Sequence, residues 1–593
     1  MSDGGWAAIH RKVTGVGLLP SRSVHQRLSD LPDIDAVVAA AASAGIRGML
    51  DGAMLDNILA HLEAEISPMT TKNPPYAVTA TATATSSAAE GQETVVDYSE
   101  IVPILDASDG GQIIEQAPPA DQATPEQPAA QADSLAKPTT IPQGRIIAPI
   151  AIPEPTPAPR PHDLDHYRLE DFPMLARDVD AEIEIHFDIT GKSVTEGKKE
   201  DIIACFRDRL KQIRKLISSH PLPNRPITVT EALRQRNRYD NRDDTATIIG
   251  MVNEPRHTKN GHLMFRIEDE AAELSCIIFS RDDADSDDNN HEIVHAGLMA
   301  DDVIGITGNF SNSGDIFYVE NTHFPPLRNH KRATAGEDRA ISAAFISDLH
   351  LGSKTFLGPQ WEKMMEWFNN DPLAKTVKYL VISGDGVDGV GIYPGQEREL
   401  TIKDLFNQYS TLGGMLEPLP DWVDVILLPG NHDAVRPAEP QPALDPELQT
   451  DYNNTMFVGN PCDFSLHGVR VLSYHGVSIM DFVASLRTVT FEHPEAAMRA
   501  MIDRRHLAPS WGGKTPLSPE PEDRLVISEI PDIFVTGHVH GHHTEIYKGV
   551  SLVHSSTWQD QTSYQRMLGF QPKPCILTVV NLHTHAVASI PFA

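Results

Sequence analysis

The chain has 593 residues, which at roughly 100 to 200 residues per domain predicts several folded units. Its 82 acidic residues against 49 basic ones give a formal charge of −33 and exclude a basic protein that coats DNA. Cys205, Cys276, Cys462 and Cys575 lie far apart with no CxxC pair, which excludes a zinc knuckle or a disulfide framework and points to a reducing cytoplasm.

No stretch approaches the ~20 apolar residues of a membrane span. The start, MSDGGWAAIHRK, lacks the apolar run of a signal peptide, so a soluble chain with no membrane partner is expected. Residues 1–67 are expected to form a small helical domain: Val37, Val38, Ile46, Leu50, Leu55, Ile58, Leu59 and Leu62 recur at helical spacing, with Ser29 or Asp33 as caps. From 68 to 160 the composition turns to Ala, Thr, Pro, Gln and Glu, with 11 prolines between residues 111 and 160. Such a stretch buries too little to fold, and a disordered linker is expected.

Residues 161–225 read as a helical connecting segment. Within it Ile202, Ile203, Phe206, Leu210, Ile213 and Ile217 share one face, while Arg207, Arg209, Lys211 and Arg214 lie mostly off it and are expected to be solvated. Residues 226–335 switch to short β-like runs, ATIIGMV, HLMFRIED, LSCIIF, DVIGITGNF and DIFYVEN, separated by turns such as Lys259-Asn260-Gly261 and Ser313-Gly314. Five such strands predict a small OB-fold β-barrel. The acidic run Asp282, Asp283, Asp285, Asp287, Asp288 and the scarcity of aromatics favour docking of another subunit over binding of a single strand. Residues 336–593 alternate apolar strands with helix-like stretches and predict an α/β domain with a large central sheet. From Ala343 onward, 17 basic and 29 acidic residues leave a charge of −12, so the acidity is not confined to the linker.

Most strands of this last region end in a candidate metal ligand. Asp348 and His350 follow FIS, Asp385 and Asp388 follow VIS, Asn431, His432 and Asp433 follow LLPG, His475 follows VLSY, and His538 and His540 follow IFVT. Ligand sites gather beyond the carboxyl ends of strands in layered sheets, so side chains spread over the region can converge. Carboxylate, amide and imidazole donors without thiolate suit Mn²⁺, Fe²⁺ or Zn²⁺. A carboxylate can bridge two ions, and Asp385 is the natural bridge of a two-metal centre that hydrolyses phosphoesters. His467, His493, His542, His543, His554, His583 and His585 stay unassigned.

The order DxH, GDxxD, GNHD, H, GHxH resembles the calcineurin-like metallophosphoesterases, whose domain is a layered β-sandwich flanked by helices. The resemblance implies that Asp348, His350, Asp385 and His540 hold one divalent ion and Asp385, Asn431, His475 and His538 a second. Mn²⁺ is the expected ion, with Fe²⁺, Zn²⁺ and Mg²⁺ as alternatives. By the same resemblance His432 contacts the scissile phosphate and protonates the leaving oxygen, and Asp433 orients His432. A narrower resemblance rests on DITGKS (188–193), FRDRL (206–210), IIGMV followed by TKNGH, RRHLAP (504–509) and TWQDQTSYQ (557–565). These phrases are similar to the small subunit of archaeal family D DNA polymerase. That likeness implies a 3′–5′ proofreading exonuclease and scaffold for a large catalytic polymerase subunit, in a heterodimer or larger assembly. It also implies DNA with a 3′ end as substrate; a sliding clamp is a further candidate partner, and the sequence does not fix whether the linker recruits it. An inactive structural subunit and a free-standing phosphodiesterase or repair nuclease are the competing expectations.

Overall fold

The computed structural model describes residues 18–20, 48–50, 175–239, 244–280, 289–327, 330–336, 341–567 and 569–593. The chain divides into two compact units, Met1–Val102 and Pro103–Ala593. In the first, β1 (Leu18–Pro20) pairs in parallel with β2 (Gly48–Leu50). Leu50, counted into the helical pattern, thus lies on a strand; the rest of that pattern, the 68–160 linker and the acidic run from Asp282 to Asp288 lie outside the described residues.

The second unit begins with a correction to the helical expectation for 161–225. Among its described residues the first regular element of length is a strand, β3 (Ile183–Phe187), followed by helix α1 (Lys199–Ser218). The alternation Ile183, Ile185, Phe187 is a period of two and not a helical one. Helix α2 (Val229–Arg234) follows, started by Thr228, whose hydroxyl accepts the Glu231 N–H at 3.1 Å. The five predicted runs then form β4 (Ala246–His257), β5 (Leu263–Glu268), β6 (Glu273–Ile278), β7 (Val303–Phe310) and β8 (Phe317–His323), with α3 (Asn289–Ala296) between β6 and β7. They close a barrel in the order β4-β5-β6-β8-β7. Val252, Phe265, Ile267, Ile304 and Phe317 fill it, and Val229 and Ala232 of α2 with Ile293 and Val294 of α3 join the same core.

The remaining chain runs β9 (Ser342–Ile346), α4 (Gly358–Asn370), β10 (Val377–Ser383), α5 (Leu405–Leu416), β11 (Asp424–Leu428), β12 (Thr455–Phe457), β13 (Cys462–Leu466) and β14 (Val469–Ser473). It continues through α6 (Ile479–Ser485), α7 (Pro494–Arg504), β15 (Ile533–Thr536), β16 (His542–Tyr547), β17 (Val550–Ser555), α8 (Ser563–Met567), β18 (Ile576–Asn581) and β19 (Val587–Pro591). These make two six-stranded sheets, ordered β12-β11-β10-β9-β18-β19 and β16-β17-β15-β14-β13-β3.

The apolar runs are continuous because both faces of these strands are buried. Ala344, Ile346, Leu380, Ile382, Val425 and Leu427 face Trp361, Met364 and Phe368 of α4 and Tyr409 and Leu412 of α5. Their neighbours Ala343, Phe345, Tyr379, Val381, Ile426 and Leu428 meet Phe464, Val471, Val535 and Val553 of the second sheet. The far face of that sheet carries Leu472, Phe534 and Leu552 against Phe482 of α6 and Met498 and Met501 of α7. Each large side chain so buried contributes ~1.5–3 kcal/mol, and a one-residue slip would exchange the two faces.

Helix α1 packs Leu210, Ile213 and Ile217 on Ile249, Met251 and Val303 of the barrel. Its Arg209, expected in solvent, is 1% exposed: Nε meets Asp523 Oδ2 at 2.6 Å and Nη1 donates to the Pro509 carbonyl at 2.5 Å. From the sandwich side, Arg504 Nε reaches both oxygens of Asp302, between α3 and β7, at 3.1 Å. Two buried charge pairs therefore buckle helix α1 and the barrel to the sandwich. Among the described residues no helix is long and apolar enough to cross a membrane.

Candidate metal centre

Five strands deliver their carboxyl ends to one rim. Asp348 and His350 stand two and four residues past β9, Asp385 two past β10, Asn431 and His432 three and four past β11, His475 two past β14, and His538 and His540 two and four past β15. The loops bring these side chains together. His475 Nε2 lies 3.2 Å from Asp385 Oδ2 and 3.1 Å from Asn431 Oδ1. His350 Nε2 lies 3.0 Å from His540 Nε2 and 3.7 Å from Asp385 Oδ2, and His540 Nε2 is 3.5 Å from Asp348 Oδ1. The ring of His538 is 5.2 Å from that of His475, and that of His432 is 4.7 Å from that of His350. Two donor groups, Asp348–His350–His540 and Asp385–His475–His538, each gather their ligating atoms within 4.8 Å. Asn431, His432 and His538 are half-buried where the other donors are buried, so the open side of the centre runs along these three.

The backbone is forced to make this convergence. Asp348, His350, Asp385, His538 and His540 have φ of 53°, 49°, 51°, 74° and 53°, in the left-handed region that costs non-glycine residues about 1–2 kcal/mol each. Five such residues at one rim mark a site whose geometry the surrounding sheets over-determine. Gly537 leaves room for the approach, since a Cβ there would sit 2.5 Å from Asp348 Oδ2.

The charges are arranged for a cation. Burial opposes the charged form of His475, yet neighbouring Asp385 outweighs it and pushes the imidazole up to about 10. His350 is pushed up to about 9 in the same way, burial being overcome by Asp388, Asp385 and Asp348. His538 goes the other way: burial, with His475 beside it, lowers it to about 3. Asp348 Oδ1 is buried and has no hydrogen-bond partner, although Oδ2 accepts from Ser347 Oγ at 2.5 Å and from the His538 N–H at 2.9 Å. A buried orphan carboxylate oxygen among neutral and protonated imidazoles, with hard O and N donors throughout, fits a divalent ion at this centre.

One expected role is corrected. The Asp433 carboxylate does not hydrogen-bond the His432 ring; it accepts the N–H groups of Gly430 at 2.8 Å and Gly386 at 3.3 Å and the Tyr409 hydroxyl at 2.9 Å. The loop turns its side chain inward, where burial and then the charge of Asp385 raise its carboxyl to about 6. The His432 ring is held by Asp388, whose carbonyl lies 2.9 Å from Nδ1 and whose Oδ1 lies 3.0 Å from His350 Nδ1. In the loop after His432, Arg436 is tied to Pro440 O, Ser193 Oγ and Glu520, and the Tyr393 hydroxyl donates to Glu399. Sequence reasoning missed Gln396, Gln559 and Gln565, which bond Asp388 and His540 from 8 to 171 positions away. Glutamines in loops carry no spacing signal. Among the unassigned histidines, His554 is buried with Nδ1 on Thr536, and His542 bonds Thr578.

Residues 343–544 match the family model of the B subunits of DNA polymerases alpha and epsilon. The chain is similar to the DNA polymerase II small subunit of Methanocaldococcus jannaschii, 38% identical over 426 residues that cover 69% of this chain and 68% of that one. The subunit of the same name from Archaeoglobus fulgidus is 38% identical over 395 residues, 65% of this chain and 76% of its own. That of Halobacterium salinarum is 36% identical over 408 residues, 68% and 77% respectively. A solved structure described as a novel archaeal phosphodiesterase aligns over 42% of this chain at 13% identity and a TM-score of 0.22, too low to bear on the argument.

Proposed function

The chain belongs to the family of archaeal DNA polymerase II small subunits, and from that premise we propose that it is the 3′–5′ proofreading exonuclease and scaffold of a replicative polymerase in the cytoplasm. In this reading the closed barrel is of the OB type and the two-sheet sandwich of the calcineurin-like phosphoesterase type. The observation that carries it is the convergence of Asp348, His350, Asp385, Asn431, His475, His538 and His540 from five strand ends, with Asp348 Oδ1 left for a ligand the chain does not supply. An inactive scaffold has no use for a complete set of donors held in strained backbone.

Asp348, His350, Asp385 and His540 would hold one divalent ion, and Asp385, Asn431, His475 and His538 a second, Mn²⁺ first among the candidates. When bound, the ions supply the positive charge that draws in a phosphodiester and acidifies a water. His432 stands on the open side with Nδ1 engaged by the Asp388 carbonyl, which leaves Nε2 to pass a proton to the departing 3′ oxygen. Asp388 fixes both the His350 and the His432 rings, so one residue sets the relation between a ligand and the proton donor. Asp433 keeps the loop that presents Asn431 and His432 closed. A water oxygen bonds to phosphorus as the P–O3′ bond breaks, which releases a nucleoside 5′-monophosphate and leaves a primer one residue shorter with its 3′ oxygen protonated. The large catalytic subunit and a 3′-ended DNA are the partners of this reading, with a sliding clamp as a candidate for the 68–160 linker.

The test compares the chain with its His432→Ala variant on a 3′-mismatched primer with Mn²⁺, alone and with the large subunit. The variant is expected to keep its metal and lose about 10²–10⁴-fold in trimming rate. Inert wild type, even in the complex, would leave the scaffold as the chain's whole role.

A further inference from the structure

His540 is buried and turns Nε2 toward the interior of the centre, facing His350 Nε2 and Asp348 Oδ1. Its Nδ1 faces the other way and meets Nε2 of Gln565, on α8, at 2.9 Å. The glutamine amide is held in turn: its Oε1 accepts the Thr562 N–H at 3.1 Å, and its own backbone N–H donates to Thr562 Oγ1 at 3.2 Å. The segment around it is fastened to the centre at other points, by Thr557 Oγ1 on the Asp348 carbonyl at 2.8 Å and by the Lys573 N–H on the His540 carbonyl at 2.9 Å. Gln565 lies beyond residues 343–544, outside the stretch that matches the family model.

A neutral imidazole carries one N–H, so the partner of one ring nitrogen decides what the other presents. To offer a lone pair at Nε2, His540 must carry its proton on Nδ1, and a buried N–H needs an acceptor. Resting on the metal-centre reading above, we infer that Gln565 is the positioning residue that sets the tautomer of His540 for metal binding. With its NH₂ group toward the ring, the proton sits on the inner nitrogen and the ligand atom is blocked. With the amide turned by half a turn, Oε1 accepts from Nδ1 and the inner lone pair is free for a divalent cation. The turn gives up the Thr562 N–H contact, so filling the centre is coupled to the packing of α8 against it.

The experiment titrates the full chain and its Gln565→Ala and Gln565→Glu variants with Mn²⁺ by calorimetry, after thermal melts without metal establish that all three are folded. Gln565→Ala is expected to weaken uptake at one site by about 10–100-fold and to leave the other unchanged. Gln565→Glu, which can only accept at the same reach, is expected to match or exceed wild type. Equal binding by all three chains overturns the inference, as does equal weakening in both variants, which would indicate packing alone. If wild type itself takes up no Mn²⁺, the metal-centre reading falls, a result distinct from either.

Discussion

At Gly430 a methyl group would lie 2.2 Å from Asp385 Oδ1 and 2.7 Å from His475 Nε2. The bare backbone at Gly430 therefore leaves the space in which the Asp385 carboxylate and the His475 imidazole approach each other, and Gly430→Ala must displace one of them. We expect this change to weaken Mn²⁺ uptake by at least about 10-fold while the fold survives, as calorimetry and a thermal melt would reveal. His475 gives a second residue-scale prediction. Its Nδ1 faces the Ser383 carbonyl at 3.0 Å and its Nε2 faces Asp385 and Asn431, so both nitrogens have acceptors and the imidazolium persists to about pH 10 without metal. A ligand must be neutral, so metal uptake should release a proton and affinity should rise with pH up to that value. Calorimetry in two buffers of different ionisation enthalpy reads the proton count, and a count of zero would reject the assignment. The sign for stability is opposite: a folded-state value above the unfolded one stabilises the metal-free chain fully below about pH 6.5, and that contribution is lost as pH rises through about 10.

Among the elements, α1 shows how a pattern can be read correctly and a residue on it wrongly. The helical face of Leu210, Ile213 and Ile217 packs on the barrel as its spacing requires. Arg209 nonetheless turns to Asp523, 314 positions away, where His506 Nε2 also comes within 3.0 Å of the same oxygen. The phrases FRDRL and RRHLAP thus encode the two sides of a buckle. Burial works against the charge of Asp523, but Arg209 and His506 hold its carboxyl well below the usual range. The pair therefore stabilises the fold above the unfolded carboxylate value near pH 3.9 and is lost only as pH falls through the depressed one. Arg209→Leu leaves a buried carboxylate unpaired and should cost about 3–5 kcal/mol in denaturant unfolding. Adding Asp523→Asn should recover part of that; a single change costing under about 1 kcal/mol would show that the buckle carries no load.

For the molecule as a whole, charge is the governing quantity. With −33 overall, the chain has no excess of cations to neutralise a phosphate backbone. We expect the isolated chain to bind primer–template DNA weakly, with affinity gained only when the large subunit is present. Fluorescence anisotropy across a salt series tests this, and nanomolar duplex binding by the chain alone that resists salt would contradict it.

The sequence by itself determined the five barrel strands, the continuous apolar strands of the sandwich and the donors that follow them. Each of these is a local signal: a period, a turn residue or a ligand a few positions past a strand. Even β3 is legible in the alternation of Ile183, Ile185 and Phe187, a period of two beside the helical period of α1. Only the tertiary structure decided what depends on partners remote in the chain. It turned Asp433 to Tyr409 and the Gly430 N–H, gave His432 to Asp388, buried Arg209, and set Gln565 on His540. The left-handed backbone at Asp348, His350, Asp385, His538 and His540 has the same origin, because two packed sheets fix where five loops must end and the loops absorb the strain.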